Sequence, residues 1–128
     1  MIYLDSSALI KLVVAEPQSD ALREQLRHDH EQIASAVVEV EIVRAVRRHA
    51  PDLVEQALEV VAHLAVIEVD ETIRTQAGLL DPPHLRSLDA IHLATALRIG
   101  DELDALITYD DRLAAGARTV GLRVLAPS

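Results

Sequence analysis

The sequence contains no cysteine, no tryptophan and no phenylalanine, and Tyr3 and Tyr109 are its only aromatic residues besides histidine. Without thiols there is no disulfide framework, no thiolate metal site and no thiol nucleophile, so any metal must sit on oxygen or imidazole. Two tyrosines are too few for base stacking on aromatic platforms to be the main mode of nucleic-acid binding. The core must therefore be Leu, Val, Ile and Ala, which supply most of the 50% of residues that are hydrophobic. No apolar stretch approaches the roughly 20 residues of a membrane span, and Asp5 interrupts the N-terminus before a signal-peptide core forms. A soluble, cytoplasmic protein with no membrane contact is the expectation. The net charge of −9 argues against coating nucleic acid by bulk electrostatics. It leaves room for a nuclease, because clustered acidic metal ligands carry several of those charges and a bound cation returns part of them.

A chain of 128 residues fits one domain spanning 1–128, large enough to bury about two thirds of its unfolded surface. Ile2 to Leu4 reads as a short buried strand from its β-branched and aromatic content. Ser6 or Ser7 caps a helix over Ala8 to Ala15, which ends before Pro17. Helices are also predicted over Ser19 to His30, Val37 to His49, Asp52 to Leu64 after Pro51, Glu71 to Leu80 capped by Asp70, Ser87 to Ile99 closed by Gly100, and Asp111 to Ala117. Strands fit Ile33 to Ala36, Val66 to Val69, Ala105 to Thr108 and Leu122 to Leu125. This alternation predicts an α/β fold with a mostly parallel sheet and helices on both faces.

In such a sheet, ligands bind beyond the carboxyl ends of the strands, where Asp5 and Asp110 fall. Each can equally be read as a turn former or helix cap. Asp89 is harder to explain structurally. Its helix carries Leu88, Ala90, Ile91, Leu93, Ala94, Ala96 and Leu97, leaves almost no polar face, and must be central. An unpaired carboxylate there costs several kcal/mol, so Asp89 is paired, protonated, cation-bound, or held by first-turn amides and the helix dipole. Glu41 shares a helical face with Arg44 and Arg48, which fits either a solvated salt bridge or a metal carboxylate with phosphate-binding arginines beside it. Crowded carboxylates repel, and a divalent cation removes the conflict. Oxygen-only ligation selects magnesium or manganese, which can activate water and neutralise a phosphodiester without a covalent enzyme intermediate.

Several other residues invite a functional reading. His28 and His30 flank Asp29, but positions two apart on a helix do not face the same way, so a solvated helix end is the simpler reading. His92, one turn after Asp89, is either packed or in touch with the site. Arg44, Arg47 and Arg48 form the densest basic patch, read as a solvated face or as an RNA phosphate contact. Arg86 and Arg112 lie close in sequence to Asp89 and Asp110. Leu9, Ile10, Leu12, Val13 and Val14 are more apolar than one buried face needs, which suggests a covering partner.

Ile2 to Leu12 with Asp5, Ser35 to Arg48 with Glu41, Ser87 to Ala96 with Asp89, and Thr108-Tyr109-Asp110 together resemble the PIN domain. More closely, they resemble the toxin ribonucleases of VapBC toxin–antitoxin systems. The resemblance implies a three-layer α/β/α domain, magnesium-dependent endoribonuclease activity on RNA, a homodimer, a small cognate antitoxin, and operator DNA contacted only through that antitoxin. By motif match, Asp5, Glu41, Asp89 and Asp110 form the acidic quartet, with Glu41 as ligand or base. Ser6 and Thr108 support it, and Asp111 is a further candidate. Two rivals remain: a non-catalytic module of the same fold that binds antitoxin or RNA, and a phosphoacceptor domain. The latter needs an acceptor Asp on a middle strand, where Val66 to Val69 offers only Asp70.

Overall fold

The computed structural model describes residues 1–28 and 31–128. Five strands form one sheet: β1 (Ile2–Leu4), β2 (Gln32–Ser35), β3 (Ala65–Ile67), β4 (Ala105–Ile107) and β5 (Val124–Leu125). Their order is β3-β2-β1-β4-β5 and every pairing is parallel. Among the described residues, seven α-helices connect them: α1 (Ser6–Val13), α2 (Ser19–Leu26), α3 (Val38–His49), α4 (Val54–Ala62), α5 (Glu71–Leu79), α6 (Ser87–Ile99) and α7 (Asp111–Thr119). Among the described residues, no helix is long and apolar enough to cross a membrane.

Alternation along the strands separates the two helical layers, because successive side chains point to opposite faces. Ile2, Leu4, Ala34, Ala105 and Ile107 face a cluster with Leu9 of α1, Leu22 of α2, Val38, Ile42 and Val46 of α3, and Ala57 of α4. Tyr3, Ile33 and Leu106 face the opposite way, onto Leu93 and Ala96 of α6 and Leu113 and Ala117 of α7. Helix α5 joins this second layer through Ile73 and Ala77 against Ala90 and Ala94. The result is the expected three-layer α/β/α fold. Each fully buried Leu or Ile contributes about 1.5–3 kcal/mol, so a mainly aliphatic core, with Tyr3 as its one buried aromatic ring besides His92 among the described residues, holds the sheet.

Local chemistry explains most element boundaries. Asp70 caps α5, its carboxylate accepting from the Ile73 amide. Gly100 follows α6 with φ 70°, a conformation that disfavours residues with a Cβ. Several predicted bounds need correction: α2 ends at Leu26 and not at His30, β3 ends at Ile67 and not at Val69, and β5 begins at Val124 and not at Leu122. The cap of α1 is Asp5, whose carboxylate accepts from Ala8 N at 3.0 Å, and not Ser6 or Ser7. Pro51–Leu53 forms a short 3-10 turn before α4, which ends at Ala62 rather than Leu64. In α1, Ile10, Leu12 and Val13 pack against the first cluster yet stay partly exposed, as does Val14, so the helix keeps apolar surface that a partner could cover. The large apolar residues left exposed are Val40, Leu58, Leu79, Leu88 and Leu97.

Strand order places the future site. The chain moves outward from β1 through β2 to β3, then crosses to the other side of β1 for β4 and β5. The crevice between the ends of β1 and β4 is therefore the topological switch point of the sheet, where open α/β folds take their ligands.

Candidate active site

Four helices begin at the carboxyl edge of the sheet, and each brings at least one acid in its cap or first turn. Asp5 caps α1 and Asp110 caps α7, while Glu41 and Asp89 lie in the first turns of α3 and α6. The partial positive charge of a helix N-terminus favours carboxylates at these positions. The cap reading and the site reading of Asp5 and Asp110 are thus compatible.

Asp5 is almost fully buried and heavily bonded. Its Oδ1 accepts from Ser7 Oγ at 2.7 Å and Ala8 N at 3.0 Å, and its Oδ2 accepts from Thr108 Oγ1 at 2.6 Å. Burial pushes its pKa up, against the lowering effect of Thr108, Ser7, the Ala8 amide and the nearby His92. A carboxylate offers about four acceptor sites, so the three donors leave roughly one free, on Oδ2. Thr108 and Ser7 also tie β1 to the β4 end. The amide of Asp110 donates to Thr108 Oγ1, and that of Tyr109 donates to Ser7 Oγ.

Asp89 is buried yet has little to hold it. Its Oδ2 is a buried acceptor without a hydrogen-bond partner, and Arg112 Nε stands 3.7 Å away, an ion-pair distance too long for a hydrogen bond. No backbone amide donates to it, which removes the capping account of this residue. Desolvation raises its pKa, and the charge of Asp110 raises it further, against Arg112, His92 and Arg86. Asp110 spends one oxygen on its helix, Oδ1 accepting from Arg112 N at 2.9 Å and Leu113 N at 3.3 Å. Its Oδ2 receives no hydrogen bond among the described residues.

Glu41 does not form the predicted salt bridge with Arg44. Its Oε1 lies 2.8 Å from His92 Nε2, and Ser6 Oγ donates to its Oε2 at 3.4 Å. His92 is itself buried, with Nδ1 2.6 Å from the Tyr3 hydroxyl and the two rings edge to face. Burial pushes the Tyr3 pKa well up, so the phenol keeps its proton. Tyr3 Oη, the two ring nitrogens of His92 and Glu41 Oε1 thus form one hydrogen-bonded chain, in which a Tyr3 O–H donating to Nδ1 would leave an Nε2–H to donate to Glu41. His92 is accordingly both packed and in contact with the site. Tyr3 and Ser7 were not among the predicted site residues. The only available signals were strand alternation, which turns Tyr3 toward the second layer, and a hydroxyl two residues after Asp5.

The remaining candidates lie further out. Asp111 is exposed at the start of α7, and Arg86 precedes α6. Arg44, Arg47 and Arg48 line a surface cleft of about 260 Å³. His28, in the turn after α2, has Nε2 3.7 Å from Glu24 of that helix, while Asp29 and His30 lie outside the described residues.

A metal fits the chemistry of this donor set, though not as a closed cage. Among the described residues, no three His, Asp or Glu side chains are grouped to enclose an ion. Magnesium is ordinarily held by one or two carboxylates with waters and substrate phosphates, rather than by protein alone. The unpartnered Asp89 Oδ2, beside the charge of Asp110, is the atom that such an ion would satisfy.

Residues 2–118 match the PIN domain family. Ribonuclease VapC46 of Mycobacterium tuberculosis (strain ATCC 25618 / H37Rv) is 48% identical over 127 residues, covering 99% of this chain and 98% of that protein. A toxin–antitoxin complex from Klebsiella pneumoniae superposes with a TM-score of 0.77 at 20% identity, covering 100% of this chain and 98% of that chain. Mycobacterium tuberculosis VapC20, described as a sarcin-ricin loop cleaving toxin, gives a TM-score of 0.75 at 16% identity over 99% of this chain and 100% of that chain.

Proposed function

Because this chain belongs to the PIN domain family, we propose that it is a magnesium-dependent endoribonuclease, the toxin of a toxin–antitoxin pair, hydrolysing RNA phosphodiesters with water. The observation that carries the reading is the buried, unpartnered Asp89 Oδ2 at the switch point, with Asp5 and Asp110 on the neighbouring elements. An acid left unpaired in a stable core needs a reason, and a cation supplies one.

Asp5, Asp89 and Asp110 would hold magnesium, with manganese as a substitute, and Glu41 completes the acidic quartet. When bound, the ion lowers the pKa of water and neutralises charge on the phosphodiester and its leaving oxygen. Thr108, Ser7 and the Ala8 amide hold Asp5 in one orientation, so its remaining lone pair points in a set direction. His92, fixed by Tyr3, holds Glu41 as an acceptor able to take or orient the proton of the attacking water. Arg112 beside Asp89 is placed to offset charge at a phosphate oxygen.

The partners proposed are an RNA substrate, a small cognate antitoxin and a second copy of the chain, with operator DNA reached through the antitoxin. The full-length likeness to a ribonuclease and the fold shared with a toxin–antitoxin complex support this. The test is cleavage of end-labelled RNA by purified protein in magnesium, with a chelator control. Asp5→Asn and Asp89→Asn should each lower the rate at least about a hundredfold. RNA binding without cleavage, indifferent to chelator, would instead establish a binding module.

A further inference from the structure

We propose that Arg44, Arg47 and Arg48 form a phosphate-binding track that holds a single-stranded stretch of RNA as it enters the site. The proposal rests on the ribonuclease reading above and adds a surface to it. Its first support is where Glu41 goes. Spacing would let Glu41 neutralise Arg44 one turn on, but the carboxylate is engaged by His92 at 2.8 Å and approached by Ser6 at 3.4 Å. Arg44 is left uncompensated.

The second support is that all three guanidiniums are exposed, with neither ion pair nor hydrogen bond among the described residues. The chain has 21 acids against 12 Lys and Arg, so pairing would be easy to arrange. Arg23, Arg27 and Arg98 each do pair with an acid. Arg86, Arg118 and Arg123 are likewise without an ion pair among the described residues, but they lie far apart in the sequence, whereas Arg44, Arg47 and Arg48 together line one cleft and are its only lining among the described residues.

The third support is direction. At 100° and 1.5 Å per residue, Arg44 and Arg48 fall on the Glu41 face of α3 and Arg47 on its flank, all within roughly 10 Å of Glu41 along the axis. A strand lying along this face passes from the arginines to the acidic edge of the sheet. Guanidinium forks match phosphate oxygens, and with only two tyrosines the grip must come from the backbone charge rather than base stacking. The competing account is that basic residues near a helix C-terminus merely complement its dipole.

The experiment is a salt titration of binding between the metal-free full-length protein, in chelator, and a fluorescent 20-nucleotide RNA of mixed sequence. The variants are the triple Gln replacement (R44Q, R47Q, R48Q) and the triple Lys replacement (R44K, R47K, R48K), each checked by circular dichroism. Losing three phosphate contacts should lower the slope of log K against log salt by about 2 and weaken binding at low salt at least about tenfold. The Lys replacement should keep the slope that the Gln replacement loses, and where the triple Gln replacement unfolds, the single R44Q should still lower the slope by about 0.7. No measurable binding by the parent protein, or equal slopes for parent and folded Gln variant, would overturn the track. So would loss of slope in a folded Lys variant. Polyglutamate displacing the RNA more effectively than unlabelled RNA would also overturn it, in favour of an acidic protein partner. No cleavage step enters the measurement, so a slope change in a protein that never cuts RNA would uphold the surface and refute the enzyme.

Discussion

Replacing Asp89 with Asn separates stability from function in a way that an ordinary core residue would not. Asp89 Oδ2 is buried without a hydrogen bond, and its nearest cation stands 3.7 Å away. Leaving a buried acceptor unsatisfied costs about 1–3 kcal/mol, and more when the group is charged. Neutralising it should therefore stabilise the metal-free protein at pH 7 by about 1–3 kcal/mol. At roughly 4 °C per kcal/mol for a chain of this size, Tm rises by about 4–12 °C. The pH dependence follows from the raised pKa. The folded state binds this proton more tightly than the unfolded chain, so the parent is relatively more stable below the ordinary carboxylate pKa. That contribution is lost as pH rises through the folded value. The advantage of the Asn variant should be near zero at pH 3, grow as pH increases, and level off once the folded Asp89 is ionised. Added magnesium should raise the parent's Tm and close the gap, since a ligand of the native state stabilises by mass action. Thermal melts at fixed protein concentration across pH 3–8 measure all of this. An Asn variant less stable than the parent at pH 7 without metal, or a difference that ignores pH, would refute the account of Asp89 as a strained ligand.

Thr108→Val keeps the shape of the side chain but removes the 2.6 Å bond to Asp5 and the acceptor for the Asp110 amide. Urea unfolding should show a loss of about 1.5–3 kcal/mol at pH 7, smaller at pH 3 where Asp5 is protonated, because the bond chiefly serves the ionised form. Tyr3→Phe leaves His92 Nδ1 buried without its donor, at about 1–3 kcal/mol, and releases the tautomer that presents N–H to Glu41. Steady-state cleavage should show a lower kcat with KM little changed. Asp70 has a pKa lowered chiefly by the Ile73 amide and then by Arg98. Its contribution is present above the unfolded carboxylate pKa and lost as pH falls through the folded value, so Asp70→Ala should lower Tm at pH 7 and converge on the parent at acid pH.

Much of the architecture was legible before any coordinates because it rests on local rules. Strand and helix alternate as the apolar periods require, Asp70 caps α5, and Gly100 closes α6. The boundaries that moved did so where two groups competed for one local task. Among three adjacent polar residues, the carboxylate of Asp5 took the α1 cap that Ser6 or Ser7 could have filled, and Ser7 turned instead to Asp5 and Tyr109. The unusual standing of Asp89 was readable from its apolar helix. Its lack of a hydrogen bond was not, because that depends on where α7 brings Arg112.

By itself, then, the sequence determined which segments are strands and helices and that four of those segments carry acids near one edge of a parallel sheet. Burial, period and capping act over a few residues and leave their marks in order along the chain. Only the tertiary structure decided how each acid is held: Asp5 by two hydroxyls and an amide with one lone pair left, Asp89 by nothing closer than Arg112 at 3.7 Å, and Glu41 drawn from Arg44 to His92. Those outcomes turn on contacts between residues 35 to 103 positions apart, where angstrom distances select among partners that spacing alone leaves equivalent.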